Sequence, residues 1–206
     1  MDIRQAEFIV FDVETTGLSP TGGDRIVEIA ALKVKEGKIV GEFYYLVNPK
    51  RALSAEAMMI NQVTEEMVAN APTSQVVLPQ LIDFIGGACV AGHNVRFDLG
   101  FVGYELALIG RRIKEETPVV DTLKMSRELL PYLNNHKLAY IARSLGISIG
   151  ETHRAMADVK ITVAVLIRLM DMAAEKNLDK VGKFLEQFGV EKPSFKLTQV
   201  SQASLF

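Results

Sequence analysis

The chain has 206 residues, of which 49% are hydrophobic, and a formal net charge of -2 from 23 basic and 25 acidic residues. This length supports one sizeable core, and the near-neutral balance argues against a protein that coats nucleic acid through a broad cationic surface. The single cysteine, Cys89, excludes an internal disulfide and fits a reducing compartment. No secretory leader and no apolar run of membrane-spanning length is visible, so we expect a cytoplasmic protein outside the membrane.

The first third of the chain predicts three strands. Residues 8–11 are apolar, with β-branched and aromatic side chains, which is typical of a buried strand. A loop rich in glycine follows at 15–24, and residues 25–34 and 39–47 predict two further strands. The short turn at 36–38 joins these two strands as a β-hairpin.

The remainder of the chain predicts helices that alternate with short strands. In order, these are short helical turns capped by Ser54 and Thr64, a helix that is opened by Thr73 or Ser74 and ends at Gly86-Gly87, a strand at 89–91, a helix capped by Asn94, a strand at 119–120, a helix capped by Asp121 that ends before Pro131, and helices at 137–145 and 154–174. A hairpin followed by alternating strands and helices predicts an α/β fold, in which helices flank one mixed five-stranded sheet.

Two acidic residues, Asp12 and Glu14, follow directly on the first buried strand. A spacing of two residues on a strand places both carboxylates on one face, where they repel each other and lose hydration. Divalent cations such as Mg²⁺ or Mn²⁺ would offset that repulsion, because these hard ions prefer carboxylate oxygens. The doublet therefore indicates a metal site, and the alternative is a solvated strand end with two ordinary surface acids.

Two later acids and two histidines extend this hypothesis. Asp98 lies one turn inside the helix that follows the strand at 89–91, at a junction where open α/β sheets bind ligands. Asp158 lies in the first turns of the last long helix, and each acid is also explained as a favourable charge near a helix N-terminus. His153 precedes that helix and suits a general base, with a surface histidine as the alternative. His93 competes for that role but is interpreted as a neighbour that orients the site.

Three runs in this chain resemble, in order and spacing, the motifs of the DEDD superfamily of 3′→5′ exonucleases, in the subgroup whose third motif carries histidine. They are Phe11–Leu18, His93–Asp98 and His153–Asp158, and the resemblance covers residues 7–175. The superfamily includes the proofreading epsilon subunits of bacterial DNA polymerase III as well as RNA-trimming enzymes. One departure lies at residues 59–64, where relatives often carry His-Gly before the last two residues of the segment.

The resemblance implies an RNase H-like exonuclease fold and a mechanism with two Mg²⁺ or Mn²⁺ ions. It implies that Asp12 bridges both ions, that Glu14 and Asp158 complete one site, and that Asp98 acts through the second ion or its water. It further implies that His153 deprotonates the attacking water. By position in the motifs, the nucleotide-binding residues are expected to be Thr15, Thr16, Gly17, Leu18, His93, Asn94 and Phe97.

The end of the chain, Gln202-Ala203-Ser204-Leu205-Phe206, resembles the pentapeptide by which bacterial proteins bind the sliding clamp. Its anchor residues would be Gln202, Ser204, Leu205 and Phe206, and the alternative is an unstructured terminus that happens to end in Leu-Phe. We accordingly expect an exonuclease domain over residues 1–176, followed by an amphipathic turn and a flexible tail over 177–206.

The function favoured by these observations is a two-metal exonuclease that removes nucleoside 5′-monophosphates from DNA 3′ ends in proofreading or repair. Its expected partners are a single-stranded or frayed DNA 3′ end, the sliding clamp and a DNA polymerase subunit. One alternative is an enzyme that trims RNA 3′ ends, since the acidic residues do not choose between DNA and RNA. A second is a non-catalytic nucleic-acid-binding module held at a clamp or polymerase.

Overall fold

The computed structural model describes residues 1–150 and 154–195. After a short 3₁₀ helix at Ile3–Gln5, the elements in chain order are β1 (Glu7–Thr15), β2 (Ile26–Lys35), β3 (Lys38–Leu46), α1 (Ala55–Asn61), α2 (Glu65–Ala69), α3 (Ser74–Ile85), β4 (Cys89–Gly92), α4 (Arg96–Leu108), β5 (Val119–Asp121), α5 (Thr122–Leu129), α6 (Leu138–Ser144), α7 (Ala155–Glu175) and α8 (Val181–Phe188). None of the helices in this part of the chain has the length and apolar character needed to cross a membrane.

The five strands form one mixed sheet in the order β3-β2-β1-β4-β5. β1 is antiparallel to β2, and β2 is antiparallel to β3, whereas β4 runs parallel to both β1 and β5. The β2–β3 hairpin turns at Glu36 and Gly37, which both have positive φ, as the tight two-residue hairpin turn requires. This sheet, with helices on both faces, confirms the predicted α/β fold.

Side chains of β1 alternate between two hydrophobic cores, because successive strand residues point to opposite faces. Phe8 and Val10 pack with α5, α6, α7 and α8 on one face. Ile9, Phe11 and Val13 pack with α3 and α4 on the other. Asp12 and Glu14 continue the series of alternate residues that begins with Phe8 and Val10. Their carboxylates therefore point to the face of the sheet that α7 covers.

The predicted helix caps are confirmed at three positions and wrong at one. Ser54 and Asp121 accept hydrogen bonds from Ala57 N and Leu123 N respectively, and Thr64 caps α2 in the same way. The predicted Asn94 cap is wrong, because α4 starts one residue later and Val95 occupies the N-cap position. Asn94 instead has φ 59° and donates its backbone N–H to Asp121 Oδ1 at 2.9 Å. Asparagine tolerates this left-handed conformation better than most residues.

The segment that follows α7 packs against the sheet and α4. Phe184 and Phe188 of α8 are buried in the core on the α7 face. Beyond α8, Val190 N donates to Val119 O of β5 at 2.9 Å, which continues the sheet at its β5 edge. The ring of Phe195 then meets Tyr104 of α4 edge-on, with centroids 5.7 Å apart. The domain boundary at residue 176 stays a prediction, and residues 196–206, which include the clamp-like motif, lie outside the described residues.

Candidate active site

β1 extends beyond β4, and this difference in length creates the site. The two strands pair only from Phe8 to Val10, while the pairing of β1 with β2 continues to Thr15. The β4-facing edge of β1 therefore has backbone groups that lack a strand partner beyond residue 10. Asp98 of α4 meets one of them, because its Oδ1 accepts a hydrogen bond from Val13 N at 3.0 Å. Asp98 is thus tied to the strand that carries Asp12 and Glu14.

A close backbone approach at Gly92 allows α4 to start beneath the end of β1. A Cβ atom at this position would lie 2.8 Å from the Val95 side chain and 3.2 Å from the Phe11 carbonyl oxygen. Both distances are too short for a real side chain, so glycine is needed for the chain to turn from β4 into α4 here. This turn places Asp98, which is only 3% exposed, at the edge of β1.

Asp12, Glu14 and Asp158 form a cluster at the carboxyl end of β1. One carboxylate oxygen from each of the three residues lies within 4.8 Å of the others. Asp158 reaches this position from the first turn of α7, where its backbone N–H donates to Arg154 O at 3.1 Å. The structure therefore brings together three of the four acids that the sequence singled out, and the fourth, Asp98, is hydrogen-bonded to the same strand at Val13.

The pKa values of Asp12, Glu14 and Asp98 are raised. Burial, followed by the nearby charges of Asp98 and Glu14, raises the pKa of Asp12 well above its ordinary value. Burial and the Asp158 and Glu28 carboxylates raise the pKa of Glu14 to about 7, although Arg154 acts in the opposite direction. For Asp98, burial raises the pKa and the hydrogen bond from Val13 N lowers it, with a net upward shift.

Raised pKa values show that the fold holds several carboxylates closer together than their charges favour. A divalent cation reverses this effect, because it supplies positive charge where the oxygens converge. Carboxylate oxygens are also the ligands that Mg²⁺ and Mn²⁺ prefer. The cluster of Asp12, Glu14 and Asp158 therefore fits a divalent metal ion in both charge and ligand type.

The loop at Thr15–Leu18 beside the cluster is held in a fixed conformation. Thr16 N donates to Arg25 O at 2.9 Å, and Thr16 Oγ1 donates to the Asp24 carboxylate at 3.2 Å. A Cβ atom at Gly17 would lie 2.4 Å from that carboxylate, so a larger residue here would displace the Asp24 side chain. Leu18 is 84% exposed, which leaves an apolar side chain at the entrance of the site.

His93 lies at the end of β4, and its ring is held by Thr122. The Nδ1 atom is 2.9 Å from Thr122 Oγ1, and that hydroxyl donates its own hydrogen to Gly92 O at 3.1 Å. Nδ1 is therefore assigned as the donor from the hydrogen-bond network. Burial lowers the pKa of His93 to about 4. A neutral, immobilised imidazole fits the orienting role that the sequence analysis gave to His93.

The other predicted site residues are placed as follows. Asn94 is exposed next to His93, and Phe97 is half-buried with its ring centroid 5.1 Å from that of Phe101. His153 lies outside the described residues, so its proposed role rests on the sequence. Its neighbour Arg154 is described, and it forms a 2.7 Å ion pair with Glu28 of β2.

The sequence analysis missed Glu28 and Asn61. Glu28 is fully buried on β2 directly opposite Glu14, and a charge inside the apolar run at 26–31 was the signal for it. Asn61 is 2% exposed, and its side chain donates to Thr15 O at 3.2 Å and accepts from Val63 N at 3.0 Å. Asn61 thus ties the end of α1 to the end of β1, and it lies in the segment that departs from the family pattern.

Comparison with known proteins identifies relatives of this chain. The exonuclease family, of the RNase T type, matches residues 9–166. The PolC-type DNA polymerase III of Latilactobacillus sakei is 42% identical over 184 residues, which are 87% of this chain and 12% of the polymerase. The PolC-type polymerase of Bacillus subtilis is 35% identical over 187 residues, which are 91% and 13% of the two chains. The chain thus spans about an eighth of these polymerases.

Two solved structures show the same architecture. Exonuclease X in complex with 5′ overhanging duplex DNA is 30% identical and has a TM-score of 0.67, with 81% of this chain and 93% of that chain covered. The nuclease domain of 3′hExo, a DEDDh family member bound to rAMP, is 18% identical and has a TM-score of 0.74, with 94% and 100% covered. The second likeness shows the shared fold alone. The family match and the likeness to exonuclease X show that the chain belongs to the exonuclease family.

Proposed function

We propose that this protein removes nucleoside 5′-monophosphates from the 3′ end of single-stranded or frayed DNA, in proofreading or repair. The observation that carries the proposal is the convergence of Asp12, Glu14 and Asp158 within 4.8 Å, with Asp98 bound to the same strand. DNA is favoured over RNA by the PolC-type DNA polymerases, at 35–42% identity, and by exonuclease X, which was solved with duplex DNA.

In this proposal, Asp12, Glu14, Asp98 and Asp158 hold two divalent cations. Bound in this way, such ions stabilise negative charge on the attacking and leaving oxygens of a phosphodiester. The carboxylates themselves fix the position of the ions, because Asp12 and Glu14 lie on a central strand and Asp98 is locked by Val13 N. A rigid first shell of this kind holds the scissile phosphate in one orientation.

His153 is proposed to accept the proton of the attacking water. An imidazole has an unperturbed pKa of about 6.5 and can take up a proton near neutral pH. His153 directly precedes Arg154, whose side chain is fixed on Glu28 beside the acidic cluster. His93 is a weaker candidate for this role, because its Nδ1 is engaged by Thr122 and burial lowers its pKa to about 4.

The 3′-terminal nucleotide is proposed to bind against the loop at Thr15–Leu18, with Leu18 as an apolar wedge under the base. The exposure of Leu18 and the fixed backbone around Gly17 support this assignment. His93, Asn94 and Phe97, at the end of β4 and the start of α4, are proposed to complete the nucleotide site.

A partner surface is proposed for the end of the chain. Gln202, Ser204, Leu205 and Phe206 would anchor the protein to a bacterial sliding clamp, and the PolC relatives suggest a polymerase as a further partner. Deletion of residues 202–206 is expected to abolish capture by an immobilised clamp. Hydrolysis of a short oligonucleotide by the truncated protein reports that it is still folded. The cytoplasmic location stays a prediction.

The decisive assay of the proposed function uses matched single-stranded DNA and RNA oligonucleotides with a 5′ label, incubated with Mg²⁺. We expect a ladder of DNA shortened from the 3′ end, nucleoside 5′-monophosphates as products, and faster trimming of a mismatched than of a paired primer end. Faster hydrolysis of RNA would replace this proposal with RNA trimming. Binding of labelled DNA without any shortening would instead indicate a non-catalytic binding module.

A further inference from the structure

A second charged network lies beside the acidic cluster and is built around Glu28. Its carboxylate accepts hydrogen bonds from Arg154 Nη2 at 2.7 Å, from Arg154 Nε at 3.1 Å to each oxygen, and from Tyr44 OH at 2.7 Å. It also accepts a bond from the backbone N–H of Ala155 at 3.1 Å. Arg154 Nη2 additionally donates to Tyr44 OH at 3.1 Å, so the three side chains form one closed network.

This network joins β2 and β3 to the start of α7. Ala155 is the first residue of α7, and Arg154 is its N-cap residue, but no side-chain cap bond is made by Arg154 itself. Glu28 supplies the missing acceptor from another element, so a strand residue caps the helix and also holds its cap residue. An anion at this place is favourable because helix N-termini carry partial positive charge.

The location of Glu28 makes a purely stabilising role a poor explanation. Its side chain is 1% exposed and lies directly opposite Glu14 in the β1–β2 register, where a like charge is unfavourable. A buried ion pair contributes little net stability compared with apolar residues of similar volume, because both charges lose hydration. What the pair does supply is a fixed geometry, since a bidentate contact between guanidinium and carboxylate permits one arrangement.

We propose that Glu28 is a positioning residue of the exonuclease centre, which uses Arg154 and Ala155 to fix the N-terminal end of α7 against β1. This inference rests on the proposed function, because its target is Asp158 as a metal ligand. Asp158 lies one turn into α7, so a shift of the helix start moves its carboxylate relative to Asp12 and Glu14.

Glu28 has a second effect on the centre, which is to keep Arg154 away from the metal ligands. Arg154 is close enough to Glu14 for its positive charge to act to lower the pKa of that carboxyl, and Glu14 belongs to the acidic cluster. Without Glu28, the guanidinium would lose its ion-pair partner beside Glu14, where its positive charge would compete with a metal ion. Glu28 thus both positions α7 and sequesters the one arginine at its start.

The test compares Glu28→Gln with the wild-type protein in three measurements on full-length protein. These are kcat and KM on a short single-stranded DNA, the Mg²⁺ concentration for half-maximal rate, and the rise in melting temperature produced by Mg²⁺ without substrate. We expect kcat to fall roughly 10–100-fold, which is the usual effect of losing a partner that orients metal ligands, with KM changed less than about threefold. The half-maximal Mg²⁺ concentration should rise, and the Mg²⁺-induced melting shift should shrink.

Two further variants give the comparison its controls. Glu7→Gln breaks an ion pair with Lys33 (3.4 Å) between the same two strands at the opposite end of β1, so it reports the loss of an ion pair without contact to the site. It should leave kcat and the Mg²⁺ response unchanged. Glu28→Gln combined with Arg154→Gln should be no more defective than the worse single variant, because the two residues act as one unit.

The outcomes separate this inference from the proposed function. An active wild-type enzyme with unchanged kcat and Mg²⁺ response in Glu28→Gln overturns the inference, even if the variant melts earlier, and leaves the proposed function intact. An inactive wild-type enzyme overturns the proposed function, and the Mg²⁺-induced melting shift then decides whether Glu28 organises the metal cluster. If Glu28→Gln does not fold, Tyr44→Phe and Arg154→Lys decide in the same measurements. A normal kcat and Mg²⁺ response in both of these variants overturns the inference.

Discussion

Glu14 and Glu28 lie directly opposite each other on β1 and β2, and their surroundings differ sharply. Glu28 receives hydrogen bonds from Arg154, Tyr44 and Ala155, so the protein itself neutralises the buried charge. Glu14 faces the carboxylates of Asp158 and Glu28, and its pKa is raised to about 7. Two glutamates at neighbouring positions of one sheet therefore differ: the carboxylate of Glu28 has hydrogen-bond donors around it, whereas the charged form of Glu14 is disfavoured by its surroundings.

This difference shows which part of the acidic region belongs to the fold and which part is prepared for a ligand. A buried carboxylate with internal donors is complete without any bound ion. The pKa of Glu14, in contrast, is raised by burial and by neighbouring carboxylates, and an added positive charge would stabilise its charged form. Substitutions in each group test this difference between Glu28 and the cluster of Asp12, Glu14 and Asp158.

The largest effect is expected from Asp12→Asn, because Asp12 has the most carboxylate neighbours in the cluster. The substitution keeps the shape of the side chain and removes its charge. We expect exonuclease activity to fall more than about 100-fold, as when a preorganised electrostatic group is lost at a reacting centre. The metal-free melting temperature should rise, because repulsion with Asp98 and Glu14 is relieved.

The matched control for Asp12→Asn is Asp83→Asn, on the exposed side of α3 away from the cluster. It removes the same charge from the same residue type and should change neither activity nor melting temperature appreciably. If Asp12→Asn retained activity, or if it destabilised the metal-free protein, Asp12 would not belong to a strained metal cluster.

The next effect in size concerns the metal itself. A ligand that binds only the folded protein stabilises it by about 2.7 kcal/mol at a hundredfold excess over its dissociation constant. For a domain of this size, that corresponds to a rise in melting temperature of roughly 5–10 °C. We expect Mg²⁺ or Mn²⁺ to produce such a rise in the wild-type protein, chelator to reverse it, and Asp12→Asn to abolish most of it. Equal melting curves with metal and with chelator would contradict the metal site.

A third prediction tests the Glu14–Glu28 contrast with one type of substitution. In the absence of metal, Glu28→Gln should lower the free energy of unfolding by about 1–3 kcal/mol, because it leaves hydrogen-bond donors and a half-buried arginine without their anion. Glu14→Gln should raise it by about 1 kcal/mol, since it removes a charge that burial and Asp158 disfavour. Denaturant unfolding measures both changes in the free energy of unfolding. If both variants were stabilised, or both destabilised, the proposed difference between Glu14 and Glu28 would be wrong.

The contrast also explains which site residues the sequence could predict. Asp12 and Glu14 are recognisable because two acids at a spacing of two follow a buried strand, and local patterns of this kind are visible in one dimension. Asp98 and Asp158 each had an equally good explanation as helix N-terminal charges. Only the order and spacing of the three motifs placed them at one site, and the structure then brought Asp158 within 4.8 Å of the doublet.

Glu28 could not be assigned in the same way, because its partners are distant in the chain. Arg154 and Tyr44 come from different elements, and no periodicity in the sequence relates them to β2. The same limitation produced the error at Asn94. Its local context is that of a helix cap, but Asp121, 27 residues away, accepts its N–H and holds it in a left-handed conformation. The strands, the hairpin and most helix limits were predictable because they depend on local periodicity and turn residues.

The smallest expected effect comes from His93, which responds to acid in the opposite sense to the carboxylate cluster. Burial lowers its pKa from 6.5 to about 4, so the folded protein holds His93 neutral while the unfolded chain takes up a proton first. The contribution of His93 to the free energy of unfolding is fully present above about pH 6.5, and it is lost as the pH falls towards about 4. A hydrogen bond with the His136 backbone partly opposes this shift, whereas the nearby charge of Arg127 adds to it.

The measurement is the difference in unfolding free energy between wild type and His93→Gln at two pH values, in which the contribution of the acidic cluster cancels. When the pH is lowered from about 7 to about 5.5, we expect the free energy of unfolding of the wild type to fall by about 1 kcal/mol more than that of the variant. A parallel loss in the two proteins would show that His93 is protonated in the folded state over this range. It could then compete with His153 as the proton acceptor, because its imidazole would titrate close to working pH. The predicted difference would instead leave His93 as a neutral group held on Thr122, which orients the substrate side of the site.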